Sequence, residues 1–122
     1  MKLCEAISKI DSLMHNTYTS GEKAEWLSAL DGDVKRLVVD THEGESVEFN
    51  GYTENTDGET VLLIPAPFDQ AYLFWLEAHI HYYNGEYSKY NNALERYNER
   101  YQAFASEYTR THLPKVVRPS FF

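Results

Sequence analysis

The sequence predicts a mainly α-helical fold: two N-terminal helices, a β-hairpin, and a long C-terminal helix that runs into an extended tail. Three observations carry this reading. Apolar residues recur at helical spacing over residues 2–14 and again from Trp26 to Val38, the period switches to two between Ser46 and Ile64, and a three–four alternation is sustained from Leu73 onward. A chain of 122 residues fits a single domain with a modest core, divided into a helical pair (1–44), a hairpin (45–64), a long helix (69–112) and an arm (113–122).

The first helix rests on Leu3, Ile7, Ile10 and Met14, which fall on one face. Thr17 to Gly21 interrupts that pattern, and Thr19 followed three residues later by Glu22 has the form of a capping box, so a second helix starts here. Its core face is Trp26 or Leu27, then Leu30, Val34, Leu37 and Val38, and it stops between Thr41 and Gly44. Val47 and Phe49 then alternate with Glu48 and Asn50, and Val61-Leu62-Leu63-Ile64 forms a second apolar run. With the turn dipeptide Asp57-Gly58 between them, the two runs read as a hairpin. A lone hairpin is marginal, so it must lean on the helices or on a neighbouring chain. Pro65 and Pro67 bar both strand pairing and an early helix, and Asp69 is placed to cap the next helix.

Leu73, Leu76, Ile80, Tyr83, Tyr87, Tyr90, Leu94, Tyr97, Tyr101, Phe104 and Tyr108 keep a 3.5-residue repeat for five heptads. An unbroken helix over residues 70–111 would be about 63 Å long. Asn84-Gly85 is a stop pair at which the chain can kink or fold back as a helical hairpin. The repeat keeps its phase across the pair, which favours a continuous, kinked helix. Pro114 ends the helix, and residues 113–122 read as an extended, apolar and basic arm closed by Phe121 and Phe122.

Residues 1–64 carry 13 acidic and 5 basic side chains, and residues 65–122 carry 6 of each, so the formal charge of −8 lies in the first half. Such a surface opposes nonspecific binding to DNA phosphates and favours solubility. No apolar run approaches a membrane span, the N-terminus lacks the apolar core of a secretory signal, and one cysteine, Cys4, makes neither an internal disulfide nor a CxxC pair.

Few residues suggest chemistry. Asp31 and Asp33 diverge on a helix and read as solvated charges. His79 and His81 point to different faces, leaving His81 as an exposed partner for Glu77 and no metal-ligand set. No phosphate-cradling glycine loop or nucleophile elbow is present, and no cofactor is expected. Six of the eleven seam positions are Tyr, a residue suited to a surface that is apolar in the middle and wet at its rim. Tyr87, Tyr90, Tyr97, Tyr101 and Phe104 are therefore candidate interface residues, with Phe121 and Phe122 as arm anchors; an intramolecular core with its hydroxyls at the helix edge accounts for the same seam.

The stretches Ala24-Glu25-Trp26-Leu27-Ser28-Ala29-Leu30-Asp31-Gly32, Thr41-His42-Glu43-Gly44, Phe49-Asn50-Gly51-Tyr52, Leu63-Ile64-Pro65-Ala66-Pro67-Phe68-Asp69, Glu77-Ala78-His79-Ile80-His81-Tyr82-Tyr83-Asn84-Gly85-Glu86, Tyr90-Asn91-Asn92 and Tyr108-Thr109-Arg110-Thr111-His112-Leu113-Pro114 span nearly the whole chain. In their order they resemble the small head–tail connector or adaptor proteins of tailed phages and prophages of Gram-positive bacteria. The resemblance implies a noncatalytic virion neck subunit, present in the host cytoplasm before assembly. It implies a homo-oligomeric ring of about twelve copies. Its partners would be the portal protein and other neck or tail-completion proteins, with genomic DNA passing through without sequence-specific binding and no membrane involved. An acidic first half would suit the wall of such a channel. Two alternatives are a tail-completion or DNA-packaging accessory protein of the same gene cluster and a small metal-dependent enzyme.

Overall fold

The computed structural model describes residues 1–44 and 46–115. Leu3, Ala6 and Ile10 form the buried face of α1 (Leu3–Leu13), and this burial holds a helix too short to persist alone. Its first free backbone donors are satisfied by the chain passing beside it: Leu3 N–H donates to Thr60 O at 2.8 Å and Cys4 N–H to Gly58 O at 3.0 Å. A Cβ on Gly58 would lie 2.9 Å from Cys4 Cβ, so glycine is required here for close approach and not, as the Asp57-Gly58 dipeptide suggests, for a positive φ.

α2 (Ser20–Val34) opens at Thr19, whose hydroxyl accepts from Glu22 N–H at 3.1 Å, in agreement with the capping pattern. Over Lys35–Val39 the helix widens into a π-turn closed by Asp40 N–H to Lys35 O at 2.8 Å. The wider turn moves the inward face along by one residue. Val38 and Val39 are both buried, whereas Leu37, expected on the core face, is 55% exposed. Thr41 then ends the segment, its hydroxyl 2.9 Å from Leu37 O.

No β-hairpin forms between Ser46 and Ile64; among the described residues the chain has only isolated bridges. The reason lies in where the backbone donors go. Tyr52 N–H donates to Ser28 Oγ, Leu62 N–H to Met1 O, Leu63 N–H to Asp31 Oδ2 and Ile64 N–H to the Tyr72 hydroxyl. Every one of these partners sits on a helix or the N-terminus, so the two apolar runs pack separately on the helical core. The Asp57-Gly58 turn is nevertheless made, with Thr60 N–H donating to Asp57 O at 3.0 Å.

The continuous C-terminal helix is also replaced. α3 (Gln70–Tyr83) and α4 (Tyr87–Thr111) are separate and pack along each other as a helical hairpin. Gly85 takes φ +77°, Gly85 N–H donates to Tyr82 O and Glu86 N–H to His81 O. This is the Schellman arrangement, which terminates α3 and turns the chain back. A heptad stripe cannot distinguish the two outcomes, because both arms of a folded-back hairpin also present their apolar stripe inward. α1, α2 and α3 pack on one another and α4 covers α3, with Leu27, Ile64, Tyr72, Leu76 and Ile80 wholly buried at the centre.

Asp69 precedes α3 without a side-chain cap bond. After α4, residues Leu113–Lys115 run beside the segment that follows the π-turn: Glu43 N–H donates to Leu113 O at 2.7 Å and Lys115 N–H to Thr41 O at 2.9 Å. Phe121 and Phe122 lie outside the described residues. No helix is long and apolar enough to cross a membrane among the described residues.

Candidate functional site: an aromatic face at the hairpin tip

The fold-back divides the predicted seam in two. From Tyr97 onward along α4, Phe104 is buried, Tyr97 and Tyr101 are half-buried, and the rings follow one another at 5.8 Å (Tyr97 to Tyr101), 6.5 Å (Tyr101 to Phe104) and 5.9 Å (Phe104 to Tyr108). Tyr97 also packs on Trp75 of α3 at 4.8 Å, and burial pushes its hydroxyl pKa well above the usual phenol range. These rings belong to the intrachain core. Nearer the turn the seam opens: Tyr90 is half-buried and Tyr87 is 61% exposed.

At that end α3 contributes Trp75, His79, Tyr82 and Tyr83, which share a side of the helix because they are spaced by four, three and one. Tyr82 is 48% and Tyr83 57% exposed. Tyr83 stacks on Trp26 of α2 at 5.5 Å and 10°, and Tyr82 meets Tyr83, Tyr87 and Tyr90 edge-to-face at 5.3, 5.9 and 5.3 Å. Two polar tethers fix the group: Trp75 Nε1–H donates to Trp26 O, and the Tyr18 hydroxyl donates to Asn84 Oδ1, each at 2.7 Å. Between Trp75, His79, Tyr82, Tyr83, Tyr90 and Leu94 lies a pocket of about 180 Å³.

His79 sits between the two tryptophans, 4.4 Å from Trp75 and 5.2 Å from Trp26. Its Nδ1 is 2.8 Å from Trp75 O, and since a carbonyl only accepts, Nδ1 carries the hydrogen. Burial lowers its pKa, against this hydrogen bond, and so favours the neutral ring.

Asp31 overturns its reading as a solvated charge. It is fully buried, accepting from the Tyr52 hydroxyl at 2.6 Å, the Tyr72 hydroxyl at 2.6 Å and Leu63 N–H at 3.1 Å. Desolvation raises its pKa despite these three bonds. The carboxylate thus ties α2, the irregular segment and α3 together. His81 does pair with Glu77, at 3.5 Å, but it is buried, not exposed, and Glu86 faces its other nitrogen at 3.4 Å. No group of three or more His, Cys, Asp or Glu side chains able to hold a metal converges among the described residues.

Trp26, Trp75, His79, Tyr82 and Tyr83 are missing from the interface residues read from the sequence, although Tyr83 belongs to the heptad stripe. A signal was available for three of them: Trp75, His79 and Tyr82 recur at helical spacing directly beside the heptad stripe. No family model, no curated protein and no solved structure matches this chain.

Proposed function

We propose that this chain is a noncatalytic assembly subunit that works through protein–protein contacts made by the aromatic face at the α3–α4 turn. One observation carries the reading: Tyr82, Tyr83 and Tyr87 are large, adjacent and each about half or more exposed. Grouped exposure of this kind on a small chain marks a contact surface, since tyrosine gives large apolar area at little entropic cost and keeps a hydroxyl for the wet rim.

The specific assembly we propose is the neck of a tailed phage or prophage particle, with the chain as a ring-forming head–tail connector that docks on the portal protein. This part rests on the resemblance of the ordered sequence segments to connector proteins. In a closed ring, contacts that are individually weak add up through multivalency, so a modest aromatic face suffices. The test is imaging of particles produced by the phage or prophage that encodes this chain. Density for a ring of this fold between portal and tail is expected, and particles whose neck lacks the chain overturn the reading.

A further inference from the structure

We propose that the pocket between Trp75, His79, Tyr82, Tyr83 and Tyr90 receives an arginine side chain of a protein partner, its guanidinium stacked on the aromatic faces and donating to His79 Nε2. The inference rests on the reading of this face as a protein interface and names the chemistry of what it holds.

The pocket walls favour a cation. Tyr82 stands at 87° to Tyr83 and at 62° to Tyr90, so the rings that line this one small space lie in different planes. Such π faces attract a positive charge placed over them. Two cations of α4 are engaged elsewhere: Lys89 pairs with Glu86 at 2.9 Å, and Arg96 pairs with Glu77 at 3.2 Å while lying over Phe74. At long range the formal charge of −8, carried by residues 1–64 and not by the half that lines the pocket, draws cationic partners toward the chain as a whole.

His79 decides between cations and apolar groups. With its hydrogen on Nδ1, the ring leaves Nε2 as a lone-pair acceptor, and no hydrogen bond reaches that atom from the described residues. No buried side-chain nitrogen or oxygen of the described residues lacks a partner, so Nε2, which accepts no hydrogen bond, keeps contact with solvent, and His79 lines the pocket. A leucine or proline ring placed there would strip water from Nε2 and return no hydrogen bond. A lysine ammonium is a compact, strongly hydrated charge that does not stack. Guanidinium is planar, so it can lie on a tyrosine face and donate in its own plane at the same time. A pocket of about 180 Å³ takes one such side chain and is too small for a helix or strand.

The experiment uses the whole chain and two small probes, N-acetyl-arginine methylamide and its neutral counterpart N-acetyl-citrulline methylamide, followed through the side-chain NMR signals of Trp75 and His79. Saturable shifts with the arginine probe are expected, with binding about fivefold weaker for the citrulline probe and about fivefold weaker for His79→Phe. Equal binding of the two probes, or no shift at Trp75 and His79, overturns the proposal without a folding ambiguity because both arms use the unaltered chain. Undiminished arginine binding by His79→Phe overturns it as well. The interface reading fails separately, through imaged particles that lack the chain.

Discussion

The Tyr72 hydroxyl lies 2.6 Å from Asp31 Oδ1 while its own oxygen accepts from Ile64 N–H at 2.6 Å, and both side chains are sealed from solvent. One hydroxyl therefore relays between a helix carboxylate and the backbone of an irregular segment, joining three parts of the chain in the place of sheet pairing. Tyr72→Phe removes both bonds and leaves Ile64 N–H buried without a partner, which costs about 1–3 kcal/mol. Asp31→Ala strands three donors and costs more, about 3–5 kcal/mol. Urea unfolding of the two variants and of the double variant checks this; because the residues share one network, the double variant is expected to lose less than the sum. A Tyr72→Phe chain as stable as the parent would remove the network from the account of the fold.

His79 gives the fold a pH dependence of defined sign. Burial holds its folded pKa below the ordinary 6.5, so between that value and the folded one the unfolded chain binds more protons than the folded chain. Its contribution to stability is full above 6.5 and is lost as pH falls through that window. Asp31 acts with the opposite sign: its raised pKa means the folded state holds the extra proton, so its contribution fades as pH rises from 3.8 towards the folded value. Denaturant midpoints measured between about pH 5 and 7.5 for the parent and for His79→Gln isolate the histidine. The parent is expected to lose more stability on acidification than the variant, and parallel profiles would contradict the assignment.

What the sequence made legible was local. Thr19 and Glu22 announce the start of α2 because a cap is made within four residues, and Asn84-Gly85 announces a helix stop because only glycine readily takes the conformation needed there. Decisions settled by distant partners were not legible. Val47 and Phe49 alternate as a strand would, yet the second apolar run gives its donors to Asp31, Tyr72 and Met1. Leu37 follows the helical period, yet the π-turn re-aims it outward. Asp31 looks like any helical acid until Tyr52 and Tyr72 arrive from 21 and 41 residues away. Half of the tip face was visible as a run of tyrosines; its other half, Trp26 and Trp75, comes together only where α2 packs on α3.

Gly85 tests the hairpin directly. Its φ is +77°, and a Cβ there would meet nothing within 4 Å, so any penalty of substitution is backbone strain alone. Gly85→Ala is expected to lower stability by about 1–2 kcal/mol, and Gly85→Asn by less, since asparagine tolerates the left-handed region better. Thermal unfolding of the two variants distinguishes this from a steric effect, which would penalise the larger asparagine more.

The division of the tyrosine seam yields the sharpest contrast, because two residues of one heptad stripe are assigned opposite jobs. Phe104 is 3% exposed and packs between Phe68, Tyr101 and Tyr108, so Phe104→Ala leaves a cavity in the core and costs about 3–5 kcal/mol. Tyr87 is 61% exposed and touches the aromatic group only through the edge of Tyr82, so Tyr87→Ser changes stability by about 0.5 kcal/mol or less. Its effect is expected instead on assembly, as a loss of incorporation into particles by a chain that still melts at the parental temperature. A Tyr87→Ser chain that melts several degrees lower would mean that the exposed end of the seam is structural, and a chain that melts normally and still incorporates would take Tyr87 out of the contact surface.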